Sequence, residues 1–289
     1  MIKGKLIIVG GGIDTGDLIP EQTIPTNIEY KSFFVEGILK KILDESKKGI
    51  NSRIEIVTTA SRVAIDSATA YIRAFNLLGA HNVSHMHLDN RMDCKNEDFL
   101  KRLQECNVIF FTGGDQLRLT STIGGTPFHQ MLIEKYYHEE FVYAGTSAGA
   151  AAVSSGMIYE GESSAALRKG EIEINGGLGL IDSIIVDTHF LERGRIGRLF
   201  QTVVGNPMKI GIGLGENTGL LIIDNNQMQT LGSGSLIIVD GHQISDTNLT
   251  QIHTGKPISI ANIIVHCMTK NDIYYIKENK LIIKDSQYH

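Results

Sequence analysis

The chain is short of cysteine, short of net charge and without a long apolar run, and each shortage removes a class of protein. Its three cysteines, Cys94, Cys106 and Cys267, are distant, odd in number and contain no C-x-x-C pair. They frame neither a disulfide scaffold nor a zinc site, and read as reduced thiols of a cytoplasmic protein. Against 27 lysines and arginines stand 32 aspartates and glutamates, a formal net charge of -5. A nucleic acid held mainly by charge needs a broad basic surface, so no such partner is expected. No apolar run approaches the ~20 residues that span a bilayer, so no membrane segment is expected. The opening MIKGKLIIVGGG turns into glycines after a short apolar stretch and reads as a core strand rather than a signal peptide. With no linker, repeat or low-complexity stretch, the 289 residues are expected to form a single domain.

What is present is an alternation of short apolar runs with helical patterns, the signature of an α/β fold with a mostly parallel sheet. Lys5–Val9, Ile54–Thr58, Val108–Thr112, Ser183–Val186 and Ile210–Leu214 are near-continuous apolar runs, as in strands buried on both faces. Helical spacing appears over Phe33–Ile42, Ala64–Leu78 and Phe99–Leu103. From Leu220 onward the pattern is β-rich, with Asp224-Asn225-Asn226 and Asp240-Gly241 suited to hairpins. These strands are expected to lie antiparallel on one edge of the sheet.

Function gathers at strand ends. Phe141–Ser154, FVYAGTSAGAAAVS, places a G-x-S-x-G between a β-favouring run and an alanine-rich segment of high helix propensity. A sharp turn there strains the serine at the strand tip and aims the helix's unpaired N–H groups at a forming oxyanion. Ser147 is then a nucleophile; the competing reading is a glycine-rich turn whose serine caps the helix. A nucleophilic serine needs a base, and the base a carboxylate to fix its tautomer. Two other strand tips supply them, His189 after Ser183–Val186 and Glu216 after Ile210–Leu214. Ala148 and the Gly113-Gly114 turn are candidate oxyanion donors. Gln116 and Arg118 follow that turn as candidate polar contacts, with Asp115 as a helix cap and Arg118 as a solvated charge in the competing reading. Gly10-Gly11-Gly12 lacks the G-x-G-x-x-G spacing, because Thr15 stands where glycine is needed, and reads as a tight loop beside the cleft. His85 and His87 would share a face of a strand, but no further ligand accompanies them, so no metal or cofactor is expected.

Taken together, FTGGDQLRLT, GTSAGAAAVS, the Ser163-Ser164 loop with Arg168-Lys169-Gly170, and DTHFLERGRIGRLF resemble the cyanophycinases of peptidase family S51. The resemblance runs from Gly10 to about Gly219. It implies a three-layer α/β/α fold like class I glutamine amidotransferases, a metal-free Ser147–His189–Glu216 triad and a homodimer. The implied reaction is exo-hydrolysis of cyanophycin, a polyaspartate bearing arginine on each side-chain carboxyl, to β-Asp-Arg dipeptides. Ala148 and Gly114 would form the oxyanion hole, while Gln116, Asp187, Thr188, Arg193, Arg195 and Arg198 would bind substrate. Such a building block carries a carboxylate, which Arg195 and Arg198 could clamp, and a guanidinium, which Asp187 or Glu192 could pair. The chain departs from the family pattern at Thr188, commonly glutamine, and at Gly215, commonly aspartate. The alternatives are another α- or β-aspartyl peptide as substrate, or a silent binding protein on the same scaffold.

Overall fold

A computed structural model describes residues 1–17 and 31–284. Five parallel strands carry the first half of the chain: β1 (Lys5–Val9), β2 (Ile54–Val57), β3 (Val83–Met86), β4 (Val108–Phe111) and β5 (Val142–Thr146). Four of them are buried along almost their whole length, which accounts for their largely apolar runs, with Glu55 of β2 a buried exception; β3, at the sheet's edge, is only half-buried. The helices between them are α1 (Ile38–Glu45), α2 (Ala64–Leu77), α3 (Glu97–Glu105), α4 (Gln116–Ile123), α5 (Pro127–His138) and α6 (Ala148–Ala151), with α7 (Ile196–Gly205) further on. Side-chain alternation sorts them into layers. Ile7, Val9, Ile54, Ile56 and Phe110 face α1 and α2, whereas Leu6, Ile8, Val57, Ile109 and Phe111 face α3, α4 and α5. The architecture is thus α/β with helices on both faces of a large, mostly parallel central sheet.

The remaining strands correct the expectation of a single antiparallel edge. After the hairpin β6 (Gly156–Glu160) and β7 (Glu173–Gly176) come β8 (Ile184–Thr188) and β9 (Ile210–Leu214). Then follow β10 (Thr218–Ile223), β11 (Gln227–Gly232), β12 (Leu236–Asp240), the short pair β13 (Asp246–Thr247) and β14 (Ile260–Ala261), β15 (Ile264–Met268), β16 (Ile273–Tyr275) and β17 (Lys280–Ile282). Among the described residues, β10, β11, β16 and β17 extend the central sheet to nine strands, in the order β17-β16-β11-β10-β1-β5-β4-β2-β3. A separate four-stranded sheet, β15-β12-β9-β8, takes the others. Its Ile184, Val186, Ile210 and Ile212 join the core beneath the central sheet, while Ile185 and Val239 pack on Leu199 and Val203 of α7. Period-two burial on two sides is what lets one strand serve two layers.

Two smaller expectations are also corrected. Phe33–Ile42 is not one helix: a π-helical turn, Lys31–Val35, gives way to α1 at Gly37, whose backbone is extended. A Cβ at Gly37 would lie 2.5 Å from the Phe33 carbonyl oxygen, so the close approach requires glycine. Asp224 and Asn225, both at positive φ, do turn β10 into β11. Asp240-Gly241 instead leaves β12 for the short β13, and β12 pairs with β9 and β15.

All parallel strands of the central sheet end at one edge, so the segments after β1, β2, β4 and β5 meet there. The end of β1 joins this edge to the second sheet. The Val9 carbonyl accepts from the Ser147 N–H at 2.9 Å, and the Gly10 carbonyl accepts from the His189 N–H at 2.9 Å.

Candidate active site

Ser147 has φ 50° and ψ -107°, a strained conformation for a residue with a side chain, between β5 and the single turn of α6. Close backbone packing imposes it. A Cβ at Gly145 would meet the Gly149 carbonyl oxygen at 2.5 Å, and one at Gly149 would meet the Phe111 carbonyl oxygen at 2.6 Å. The Tyr143 hydroxyl donates to that same Gly149 carbonyl at 2.7 Å. No side-chain capping bond is made by Ser147, so the competing cap reading does not describe this turn. Its Oγ points instead at His189 Nε2, 3.0 Å away.

His189 and Glu216 meet through strand register. β8 and β9 are parallel neighbours with Thr188 opposite Leu214, which brings the residues just past both strand ends side by side. His189 Nδ1 lies 2.8 Å from Glu216 Oε1. A carboxylate accepting from Nδ1–H leaves Nε2 as an acceptor for the serine hydroxyl, so this chain can draw a proton from Ser147. The imidazole is 16% exposed and the Glu216 side chain 47%, so the base is shielded while the acid borders solvent. The Gly10-Gly11-Gly12 loop packs against both groups. A Cβ on Gly11, at φ 125°, would sit 2.2 Å from His189 Cε1, and one on Gly12 would come within 3.0 Å of Glu216.

The serine and histidine open into a cleft of about 700 Å³. Gly113 and Gly114 form one wall, and a Cβ on Gly113 would lie 3.3 Å from that of Ser147. The N–H groups of Gly113, Gly114 and Ala148 find no acceptor among the described residues, as donors awaiting an oxyanion would. Gln116, Thr188, Arg193 and Arg195 also line the cleft. Gln116 Nε2 is held by the carbonyls of Ile158 (3.3 Å) and Tyr159 (3.2 Å) in β6. Thr188 is buried, and the Arg195 guanidinium donates to its carbonyl at 2.8 Å.

Other residues named from sequence lie elsewhere. Asp187 and Arg198 are buried below the cleft as an ion pair, Arg198 Nε to Asp187 Oδ2 at 3.1 Å, and neither lines the cavity. Arg195 adds a second guanidinium at 3.2 Å, and the Thr188 N–H donates to Asp187 at 3.0 Å. Burial pushes the Asp187 carboxyl above its usual range, with the two arginines pulling the other way. Asp187 is thus engaged by the protein's own arginines, away from the cleft lining where a substrate guanidinium would meet it. Glu192 is likewise engaged, accepting from the Glu216 N–H at 3.0 Å. Asp115 caps α4 by accepting from the Arg118 N–H, and Arg118 pairs with Asp89 at 2.9 Å. In the Gly161–Gly170 loop, Ser163 donates to the Arg193 carbonyl at 2.9 Å, while Arg168 and Lys169 reach the carbonyls of Gly255 and Ile252. His85 and His87 both bond the Thr58 hydroxyl, at 2.8 and 2.9 Å.

Sequence reasoning missed Ser61, Arg62, Ser67 and Tyr71, all of which line the cleft. Arg62 is exposed and follows β2 at the same edge as the other tips, a positional signal that was available. Tyr71 gave no signal beyond its place within the helical spacing of Ala64–Leu78. Burial raises its hydroxyl pKa to about 12, so the neutral phenol faces the cleft.

Comparison with known proteins places this chain in a family. The model of peptidase family S51 matches residues 31–230. A cyanophycinase of Synechococcus elongatus is 32% identical over 233 residues, covering 81% of this chain and 72% of that protein. One from Nostoc sp. (strain PCC 7120) is 33% identical over 229 residues, covering 79% and 77%. Among solved structures, a peptidase from an acI-B1 Actinobacterium superposes with a TM-score of 0.62 at 22% identity, covering 83% of this chain and 92% of that one. That likeness speaks for the fold. With the family model matched over residues 31–230 and about a third of the aligned residues identical to those of the cyanophycinases, the chain belongs to peptidase family S51.

Proposed function

We propose that the chain is a serine-type exopeptidase that hydrolyses cyanophycin to β-Asp-Arg dipeptides through an acyl-enzyme on Ser147. The observation that carries the reading is the unbroken contact from Ser147 Oγ to His189 Nε2 (3.0 Å) and from His189 Nδ1 to Glu216 Oε1 (2.8 Å). His189 takes the serine proton as Oγ attacks the scissile carbonyl, then returns it to the leaving amine. Glu216 holds the ring tautomer and balances the imidazolium. The Ala148 and Gly114 N–H groups receive the oxyanion. Water, activated by the same histidine, then frees Ser147.

Substrate charge is met by the cleft. Arg62 and Arg193 are exposed on its wall and suit the carboxylate of the arginyl branch, with Arg195 beside them. Asp115 is the carboxylate among the lining residues and suits the guanidinium. Gln116, held rigid by β6, and Thr188 position the main chain. Among the described residues no group of three or more histidines, cysteines, aspartates or glutamates is arranged to hold a metal, and none is needed for these steps. No described helix is long and apolar enough to cross a membrane. The family resemblance further implies a homodimer, and the three cysteines, read as reduced thiols, suit the cytoplasm.

A second reading, hydrolysis of a different aspartyl peptide, is favoured by Thr188, a short side chain where the resemblance leads one to expect an amide. Incubating the protein with cyanophycin, and separately with α- and β-aspartyl dipeptides, tests both. Mass analysis should find β-Asp-Arg released from the polymer. Cleavage of an aspartyl dipeptide with the polymer intact would move the assignment to the second reading, and no cleavage of any would leave the silent scaffold.

A further inference from the structure

We infer that Glu192 is a positioning residue, whose carboxylate holds the tip carrying Glu216 against the turn carrying His189. The inference rests on the serine-hydrolase reading above. Glu192 stands three residues after His189, in a turn closed by Arg193 N–H to the His189 carbonyl at 3.1 Å and Gly194 N–H to the Leu191 carbonyl at 3.2 Å. The two segments exchange bonds in both directions. His189 Nδ1 meets the Glu216 side chain at 2.8 Å, and the Glu216 backbone N–H donates to Glu192 Oε1 at 3.0 Å. The first contact fixes a side chain, the second a main chain.

Both contacts border solvent, so the tip is held by the two together rather than by either alone. With the Glu216 side chain 47% accessible, water competes for its carboxylate, and a drift of the tip would lengthen the bond to the histidine. A bond from a backbone N–H to an ionised carboxylate is among the stronger kinds. On the other side of the tip, the Thr218 hydroxyl donates to the Glu216 carbonyl at 3.0 Å, so residue 216 is held by both its peptide groups. Gly215 lies beside this contact: a Cβ there would come 3.1 Å from the Ser235 carbonyl oxygen and to an ordinary packing distance, 3.4 Å, from Glu192 Oε1. Glu192 does not line the cleft, so its influence on Ser147 passes through Glu216 and His189.

The test is the rate at which a small fluorophosphonate, which carries no guanidinium and no carboxylate, labels Ser147. Glu192→Ala and Glu192→Lys, which cannot accept the bond, should label roughly tenfold more slowly than the unaltered protein. Glu192→Gln keeps an amide oxygen to accept it and should label within roughly threefold of the unaltered rate. On the polymer, Glu192→Ala should lose kcat with KM unchanged. Labelling of Glu192→Ala at the unaltered rate would overturn the inference. So would a loss seen only as a raised KM, which would make Glu192 a substrate contact. Glu192→Gln as slow as Glu192→Ala would assign the effect to charge alone and overturn it too. Absence of any label on Ser147 in the unaltered protein would sink the hydrolase reading itself, and this inference with it.

Discussion

Ser147 rises from the nine-stranded sheet, whereas His189 and Glu216 rise from the four-stranded one, and the two supports differ in kind. Around Ser147 the main chain packs on itself: Gly145 on the Gly149 carbonyl, Gly149 on the Phe111 carbonyl, and the Ser147 N–H on Val9. Around the other two groups the backbone is also pinned, His189 at φ 49° with its N–H on Gly10, but the reactive geometry is completed by side chains. Glu216 must reach His189, Glu192 must reach Glu216, and Asp187 must anchor two arginines below them. A position set by close backbone packing survives deletion of any one neighbouring side chain, whereas a position set by side-chain bonds does not. Single substitutions should therefore act most readily on the second sheet's half of the site.

The sharpest break is His189→Ala, which removes the base and leaves the elbow untouched; kcat should fall roughly 10⁴-fold or more, read from dipeptide release with unchanged circular dichroism. Glu216→Gln keeps the shape but not the charge and lets the ring choose the wrong tautomer. Its kcat should fall on the order of 10²- to 10⁴-fold, with little change in KM. A loss under threefold would mean that Nδ1 is oriented by something else. Asp187→Ala strands the buried guanidinium of Arg198 and the partly buried one of Arg195, and urea unfolding should show a stability loss of about 3–5 kcal/mol. A loss below 1 kcal/mol would contradict the internal role given to that pair and return Asp187 to the substrate. The smallest effect belongs to the cleft wall, where Arg62→Ala should raise KM roughly three- to tenfold and leave kcat in place.

The same division governs what could be read in advance. The buried parallel strands were legible because residues covered on both faces are mostly apolar, as in residues 6–9 of β1 and in Val108–Phe111. The tips were legible because loops at strand ends carry the polar groups, and serine, histidine and glutamate each stood within a few residues of such a run. Sheet membership was not. β12 and β15 look like β10 and β11 in sequence, and only the long-range register with β9 assigns them to the second sheet. Nor does the charge run of Glu192–Arg198 say which way each residue faces. Arg198 falls on the buried side of α7 with Leu199 and Thr202 and meets Asp187, while Arg193 stays exposed on the preceding turn. Arg62 was overlooked because a lone arginine in a loop carries no period, although its place after β2 pointed to the cleft.

Every step proposed for this site passes through one oxygen, so the decisive measurement is kcat/KM of Ser147→Ala on cyanophycin, followed by mass detection of β-Asp-Arg. The substitution removes Oγ without disturbing the glycines that shape the elbow, and thermal unfolding should be close to that of the unaltered protein. The account predicts a fall of roughly 10⁴-fold or more. Release of the dipeptide within tenfold of the unaltered rate would contradict it.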